Sequence, residues 1–355
     1  MTIRVGLVGC GWIGSAHSRA LKGLIDGGLV DAQVVAFADP VLDSAQTFAR
    51  AHRAPLATSD PAEVFAAVDA VWICTPTGTH RQLVEGAAAA GVAVYCEKPL
   101  APTLPDVEAM VAAVESAGVA NQVGLVLRSA APLAEMQKMV ASGAEGRPMA
   151  AVLRDDQYFP IQGRYASGTW RADVAVSGGG ALIEHSIHDL DVLGWLLGDI
   201  TEVAATTSNF AGHEGVEDVA ALTMRHAGGA TSSLVSVWHQ VLSRGSVRRL
   251  EVFCEQAFLW LDDEDMGPLH IERSDASLAV EAPTAADWLE RLAVAPELRE
   301  PLAVYAAADR AFLDAVAAGR PPHPDFTVAL RAHRVAEAAY RSARAGMDPV
   351  SIALL

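Results

Sequence analysis

A hexapeptide near the amino terminus, Gly9-Cys10-Gly11-Trp12-Ile13-Gly14, limits what this chain can fold into more than any other stretch. Before it lies an apolar run, Val5-Gly6-Leu7-Val8, that reads as a buried parallel strand. After it, over residues 15–24, Ala16, Ala20, Leu21 and Leu24 recur at helical spacing. In a strand–turn–helix of this kind the first glycine makes the turn, the second lets backbone approach a pyrophosphate, and the third lets helix pack on strand. The pattern then repeats, with strands expected at 34–38, 70–74 and 92–96, helices at 43–51, 78–90 and 104–117, and a last strand at 121–127. Such alternation predicts βαβ units around a parallel sheet, hence an α/β chain that opens with a Rossmann dinucleotide-binding domain over residues 1–127.

After residue 127 the texture changes. Alternating strand candidates follow in succession at 203–209, 219–225, 231–239, 249–254 and 257–261, with Ala227-Gly228-Gly229 as a hairpin turn. This predicts a second domain, residues 128–355, of α+β type around an open, mostly antiparallel sheet. Residues 262–300 read as an acidic, turn-rich stretch. Two Ala-rich helices are expected at 304–318 and 328–345, packing back toward the Rossmann domain. Met136, Met139 and Trp195 read as core.

Length and charge narrow the function. At 355 residues, two domains with cores of their own are expected. With 26 Lys+Arg against 43 Asp+Glu the net charge is −17, which argues against nucleic acid and anionic membrane as partners. Cys10, Cys74, Cys96 and Cys254 are scattered, with no metal-ligand spacing, and read as reduced thiols in a cytoplasmic protein. No metal is implied. The start of the sequence enters a strand directly without a signal-peptide pattern, and no apolar run reaches the roughly 20 residues a spanning helix needs.

Three further features bear on chemistry. Asp39 ends the second strand, 25 residues past Gly14 (39 − 14), where a carboxylate accepts hydrogen bonds from the adenosine ribose hydroxyls and repels a 2′-phosphate. That favours NAD, with NADP as the alternative; Asp39-Pro40 also reads as a plain turn and helix cap. Thr75, Pro76 and His80 follow a strand and would face the nicotinamide end, His80 serving either as a cofactor contact or as a helix-start histidine. Glu97-Lys98-Pro99 follows the strand at 92–96. A lysine at that sheet edge, constrained by the proline after it, suits a group that hydrogen-bonds a substrate oxygen and stabilises a developing alkoxide. Later, Gly178-Gly179-Gly180 leads into a helix on which Glu184, His188 and Asp191 are spaced i, i+4, i+7 on one face. A carboxylate beside a histidine fixes its tautomer and raises its basicity, which fits a general base, a structural bridge or half a metal site.

Together GCGWIG, EKP at 97–99 and the glycine–Glu–His–Asp stretch at 178–191 resemble the glucose–fructose oxidoreductase / inositol 2-dehydrogenase (Gfo/Idh/MocA) family over essentially the whole chain. The resemblance implies an NAD(P) cofactor and oxidation or reduction at a hydroxyl-bearing carbon of a sugar, sugar derivative or cyclitol. It makes Lys98 and His188 catalytic, with Glu184 where the family commonly has aspartate. Cofactor contacts are expected from Gly9, Gly11, Trp12, Ile13, Gly14, Asp39, Thr75, Pro76, His80, Glu97 and Lys98. Substrate contacts are expected from Lys98, Arg128, Gln157, Tyr158, Trp170, Arg171, His185 and His188, with Arg164 and Tyr165 in the same cluster. A homodimer or homotetramer is expected through the sheet face that no later helix covers. Two alternatives stand: a ketoreductase of (deoxy)sugar biosynthesis, and a dinucleotide-binding redox sensor without turnover, against which Lys98 and His188 count.

Overall fold

The computed structural model describes residues 2–161, 169–241, 243, 245–262, 267–281 and 287–355. The chain falls into two compact units, residues 1–129 with 285–330, and residues 130–284 with 331–355.

In the first unit the elements are β1 (Ile3–Val8), α1 (Trp12–Asp26), β2 (Ala32–Ala38), α2 (Leu42–His52), β3 (Leu56–Thr58), α3 (Pro61–Phe65), β4 (Ala70–Ile73), α4 (His80–Ala89), β5 (Ala93–Cys96), α5 (Leu104–Ala117) and β6 (Asn121–Val123). All strands are parallel in the order β3-β2-β1-β4-β5-β6. This is the doubly wound order, and it reverses between β1 and β4 beside the glycine turn, where ligands bind such sheets. The strands are apolar throughout because both faces are covered. Val71 and Ile73 pack with Val84 of α4 and Met110 of α5; Trp72 packs on the other face with Leu21 of α1, Ala45 of α2 and Phe312.

Local chemistry sets the element ends. Helix α5 occupies the predicted 104–117 because the Thr103 hydroxyl accepts from the Asp106 N–H, a proline lies in the first turn, and Gly118 closes the helix at φ +65°. The strand expected at 121–127 stops at Val123, and a 3₁₀ turn, Val126–Ser129, follows. The reason is Gly124, whose missing Cβ leaves room for the Glu97 carboxylate. The short β3 and α3, three and five residues long, carry too little periodicity to be read from sequence.

The helix Pro296–Ala317 starts eight residues earlier than expected and runs through Pro301 (304 − 296). It packs on α1 and inserts Phe312 edge-on against Trp72 at 5.2 Å and Tyr95 at 5.8 Å. Removing such a fully buried phenylalanine ring costs about 3–5 kcal/mol.

The second unit holds a nine-stranded sheet: β7 (Pro148–Tyr158), β8 (Ile200–Ser208), β9 (Val219–His226), β10 (Thr231–His239), β11 (Val247–Cys254), β12 (Ala257–Leu261), β13 (Leu269–Arg273), β14 (Leu278–Glu281) and β15 (Val350–Ser351). The order is β14-β13-β12-β11-β7-β10-β9-β8-β15, antiparallel except for the β7–β10 pair. The Ala227–Gly229 turn joins β9 to β10, with Gly229 at φ +91°. Strands β13 and β14 lie within the stretch expected to be turns; they are edge strands with polar residues, which weakens their pattern. Leu153, Leu234, Leu250 and Leu259 point inward, where the helix Ile187–Leu197 packs on β7. Val152, Val235 and Phe253 are exposed on the opposite face. There Phe253, Phe258, Trp260 and His270 stack in series at 4.7, 4.8 and 4.8 Å between centroids. Met136 is fully buried as expected, whereas Met139 and Trp195 are only half-buried. Among the described residues no helix is long and apolar enough to cross a membrane.

Candidate active site

In the first unit the glycine turn lies at the carboxyl edge of the parallel sheet. Gly9 has φ +98°, and a Cβ there would stand 2.6 Å from the Cys74 carbonyl oxygen; a Cβ on Gly14 would overlap the Gly9 carbonyl. Nothing within 4 Å would obstruct a Cβ on Gly11. The first and third glycines are thus required by the protein's own packing, whereas the space beside the second is open to a group that approaches from outside. That suits a dinucleotide pyrophosphate set at the N-terminus of α1, which begins with no side-chain cap and no acid in its first turn. Trp12 lies exposed beside the turn, while Ile13 packs on the core.

Asp39 serves the turn directly. One carboxylate oxygen accepts from the Cys10 N–H at 2.8 Å and the other from the Val41 N–H at 2.8 Å. Each oxygen keeps a lone pair for a ribose hydroxyl, so the capping and cofactor readings of this residue coexist. Thr75 accepts a hydrogen bond from the Thr79 hydroxyl at 2.8 Å, and the Pro76 carbonyl accepts from the Thr79 N–H at 2.9 Å.

His80 differs from its cofactor-contact reading. Its ring is buried, with Nε2 2.8 Å from the Thr75 carbonyl and Nδ1 3.0 Å and 3.2 Å from the carbonyls of Pro99 and Leu100. Burial pushes its pKa below the ordinary value. The ring stitches the loop after β4 to the loop after β5, and thereby steadies Lys98. That lysine is half-buried, follows the buried Glu97, and joins Pro99 through a cis peptide. Arg128 lies in the same unit with Nη1 3.0 Å from Nε2 of His323.

In the second unit the residues singled out for chemistry gather at the glycine run. Gly178 turns the chain at φ +85°, and a Cβ on Gly180 would overlap the Glu217 backbone. The helix expected to carry Glu184, His188 and Asp191 on one face is not continuous. Residues Ala181–His185 form a π turn closed by Ser186 N–H donating to the Ala181 carbonyl, and the α-helix begins at Ile187. A π turn holds more residues per turn than an α-helix, so i, i+4 spacing across it does not carry its usual meaning. π turns of this kind are frequent at functional sites.

Glu184 is buried, and its carboxylate accepts from Arg171 Nε at 2.6 Å; the Arg171 guanidinium lies 4.3 Å over the Trp170 ring. Trp170, Arg171 and Glu184 are therefore one cluster. His188 and Asp191 are buried on the α-helix that follows. His185 points to Asp155, Nε2 to Oδ2 at 3.0 Å. Of the residues expected to hold a polyol, Gln157 accepts through its amide oxygen from Trp238 Nε1 at 3.2 Å, and the buried Tyr158 ring meets His239 edge-on at 5.7 Å. Arg164 and Tyr165 lie outside the described residues.

Two family models match the chain. Residues 3–125 match the oxidoreductase family with NAD-binding Rossmann fold, and residues 133–259 match the GFO/IDH/MocA C-terminal domain. Inositol 2-dehydrogenase 2 of Paenarthrobacter aurescens is 32% identical over 332 residues, 91% of this chain and 90% of that protein. The chain belongs to the GFO/IDH/MocA oxidoreductase family. Inositol 2-dehydrogenase of Rhizobium meliloti is 29% identical over 349 residues, 96% of this chain and 97% of the relative. Among solved structures, an oxidoreductase domain protein from Kribbella flavida superposes with a TM-score of 0.89 at 25% identity over 99% of this chain and 100% of its own. Levoglucosan dehydrogenase in complex with NADH shares the fold with a TM-score of 0.88 at 24% identity, over 99% of each chain.

The first unit of this family member is accordingly an NAD-binding Rossmann domain, and the protein is an NAD-dependent oxidoreductase. Several residues that shape its site escape motif reading. The Glu217 carboxylate accepts from the N–H groups of Gly180 and Leu182 at 2.8 and 2.9 Å and from the Tyr340 hydroxyl at 3.0 Å, fastening the π turn from below. Arg248 is fully buried between two aspartates, Nε 2.7 Å from Asp189 and Nη2 3.0 Å from Asp155. Burial works against the Asp155 charge, but Arg248 and His185 override it and hold that carboxyl far below the usual range; burial pushes Asp189 up. The signal for Arg248 was available: it and Asp155 sit at inward positions of alternating strands, directly opposite each other, where a charge has to have a partner. In the first unit, His17 and Asp309 are buried in the same way.

Proposed function

We propose that this oxidoreductase interconverts a secondary hydroxyl and the corresponding ketone on a sugar, sugar derivative or cyclitol, with NAD preferred over NADP. The observation that carries the reading is Lys98, a half-buried cation at the carboxyl end of β5 in the same unit as a glycine turn that leaves open space beside its middle glycine. The names of the relatives supply the substrate class. NAD, when bound, supplies the hydride acceptor for the carbinol carbon. Lys98 donates a hydrogen bond to the substrate oxygen and stabilises negative charge as it develops there. His188 takes the hydroxyl proton. Glu184 tethers Arg171 over Trp170, giving an aromatic face and a guanidinium suited to a ring that carries several hydroxyls.

We assign the protein to the cytoplasm, in keeping with four free thiols. We also assign it a homodimeric or homotetrameric state, because the outward sheet face carries the stacked Phe253, Phe258 and Trp260 rings with exposed Val152 and Val235. Light scattering that gives only the monomer mass at micromolar concentration would end that assignment.

The function is tested by following reduction of NAD and NADP with a panel of cyclitols, aldoses and anhydrosugars. Turnover of at least one polyol, faster with NAD, is the expected result. Turnover confined to simple alcohols, or none with any polyol in either direction, overturns it.

A further inference from the structure

The glycine turn and the Glu-Lys-Pro loop are joined beneath the sheet edge by a buried histidine that neither motif includes. His17 lies on α1, three residues after Gly14, and is completely buried. Its Nε2 is 3.0 Å from Oε1 of Glu97, and its Nδ1 is 2.7 Å from Oδ1 of Asp309 on the helix Pro296–Ala317. Oδ1 of Asp309 also accepts from the indole N–H of Trp72 at 2.8 Å. Tyr95 and Tyr305 present their rings edge-on to the imidazole at 5.1 and 5.4 Å. The groups facing the ring are therefore Tyr95 from β5, Glu97 just after it, and Asp309 and Tyr305 from the returning helix, with Trp72 of β4 behind Asp309.

Both ring nitrogens meet carboxylate oxygens, which only accept. A neutral imidazole has one N–H and would turn a lone pair on one carboxylate, whereas an imidazolium donates to both. The electrostatics point the same way: burial alone would lower the pKa of His17 and does raise that of Asp309, but pairing with Asp309 and Glu97 overrides burial at the ring and raises His17 to about 10. Glu97 passes the constraint on, since its other oxygen lies 3.3 Å from the backbone N–H of Lys98. A chain of hydrogen bonds thus runs from Asp309 through His17 and Glu97 to the peptide that carries Lys98.

We propose that His17 is a positioning residue for the reaction: through both ring nitrogens it clamps Glu97 against Asp309 and so fixes the backbone from which Lys98 projects. The proposal rests on the reading of Lys98 as the group that acts on the substrate oxygen. It also gives the segment 285–330 a role in that unit, because the clamp's second carboxylate comes from there.

The test uses a feature of the composition: the chain has only three lysines, Lys22, Lys98 and Lys138. Reductive methylation with ¹³C-formaldehyde of the full-length protein gives three lysine signals. In His17→Gln, and in Asp309→Asn, the Lys98 signal should move while those of Lys22 and Lys138 stay in place. In the unmethylated protein, ring ¹⁵N shifts of His17, assigned by its loss in His17→Gln, should report an imidazolium at pH 8. With substrate in hand, both variants should lose tenfold or more in kcat while the Kd for NADH changes less than threefold. His17 titrating near its ordinary value, an unmoved Lys98 signal in both variants, or kcat within twofold of the parent would each overturn the proposal. The two NMR arms need no substrate. A parent enzyme inactive on every polyol therefore defeats the substrate reading while the clamp is still decided by the spectra.

Discussion

Each unit of this enzyme buries one cation between two carboxylates, and the two clusters differ in the cation. In the Rossmann unit it is His17, between Glu97 and Asp309; in the second unit it is Arg248, between Asp155 and Asp189. Arginine keeps its charge at any pH a protein survives, so the second cluster is a fixed brace for the helix that begins beside His188. Histidine can lose its proton, so the first cluster holds only while its surroundings keep the ring charged. Each cluster lies next in sequence to a proposed catalytic group, Glu97 before Lys98 and Asp189 after His188. The cation under the proton-accepting histidine keeps its charge at every working pH, and the cation under the oxygen-binding lysine does not.

The largest expected effects come from the groups the two braces support. General acid–base help is worth about 10² to 10⁴ in rate, roughly 3–5 kcal/mol of barrier, so Lys98→Ala and His188→Ala should each lower kcat by a factor in that range. NADH affinity should change little in His188→Ala. Steady-state kinetics on an identified polyol, with fluorescence titration of NADH, would measure both. Activity within twofold of the parent in both variants would leave two braces with nothing catalytic to support.

Next in size is the removal of the fixed brace itself. Arg248→Met leaves Asp155 and Asp189 buried without their cation, a change that costs about 3–5 kcal/mol when one partner of a buried ion pair is lost. The triple change with Asp155→Asn and Asp189→Asn should recover much of that loss, since it removes the uncompensated charges too. Urea unfolding would read both. An Arg248→Met protein as stable as the parent would mean that the cluster is not load-sharing at all.

The contrast also marks what the sequence could and could not reveal. The Rossmann half is legible because its constraints are local: a turn needs Gly9, a close approach needs Gly11, and a strand end places Lys98. The second half is legible as alternating strands, yet its site is not, because Arg248 meets Asp155 only through the β7–β11 pairing, and Glu217 reaches the glycine run from 37 residues away. The i, i+4 spacing of Glu184 and His188 presumes a continuous α-helix, and sequence periodicity does not reveal the π turn at Ala181–His185, where Glu184 accepts from Arg171. Gln157 and Tyr158 show a limit of another kind, because polar strand residues look alike in sequence whether they face a ligand or a neighbouring Trp238 or His239.

A smaller effect separates the clusters by pH. The folded-state pKa of His17 is raised to about 10, above an unfolded value of about 6.5. Its contribution to stability is therefore complete below about 6.5 and is lost as pH rises through about 10. In that window the parent should lose stability faster than His17→Gln by about 1.4 kcal/mol per pH unit, whereas the triple variant that lacks Arg248 and both of its carboxylates should parallel the parent. Urea denaturation at pH 7, 8 and 9 would show it, and parallel slopes for the parent and His17→Gln would place a neutral ring at His17.

The smallest expected effect tests how far the Rossmann half's legibility extends, to the choice of cofactor at Asp39. Its two oxygens hold the Cys10 and Val41 N–H groups, so a change here alters the glycine turn as well as the ribose site. Asp39→Asn keeps one acceptor and removes the charge; Asp39→Ala removes both. If the charge is what excludes a 2′-phosphate, the two variants should shift the NAD-to-NADP ratio of kcat/KM alike, by about tenfold, or roughly 1.4 kcal/mol. If the carboxylate acts chiefly as a tether for the turn, Asp39→Ala should lose kcat/KM with both cofactors equally while Asp39→Asn stays near the parent. Water can reach the freed N–H groups, because Asp39 is only half-buried, so neither variant should unfold. A ratio unchanged in both would make Asp39 a cap and nothing more.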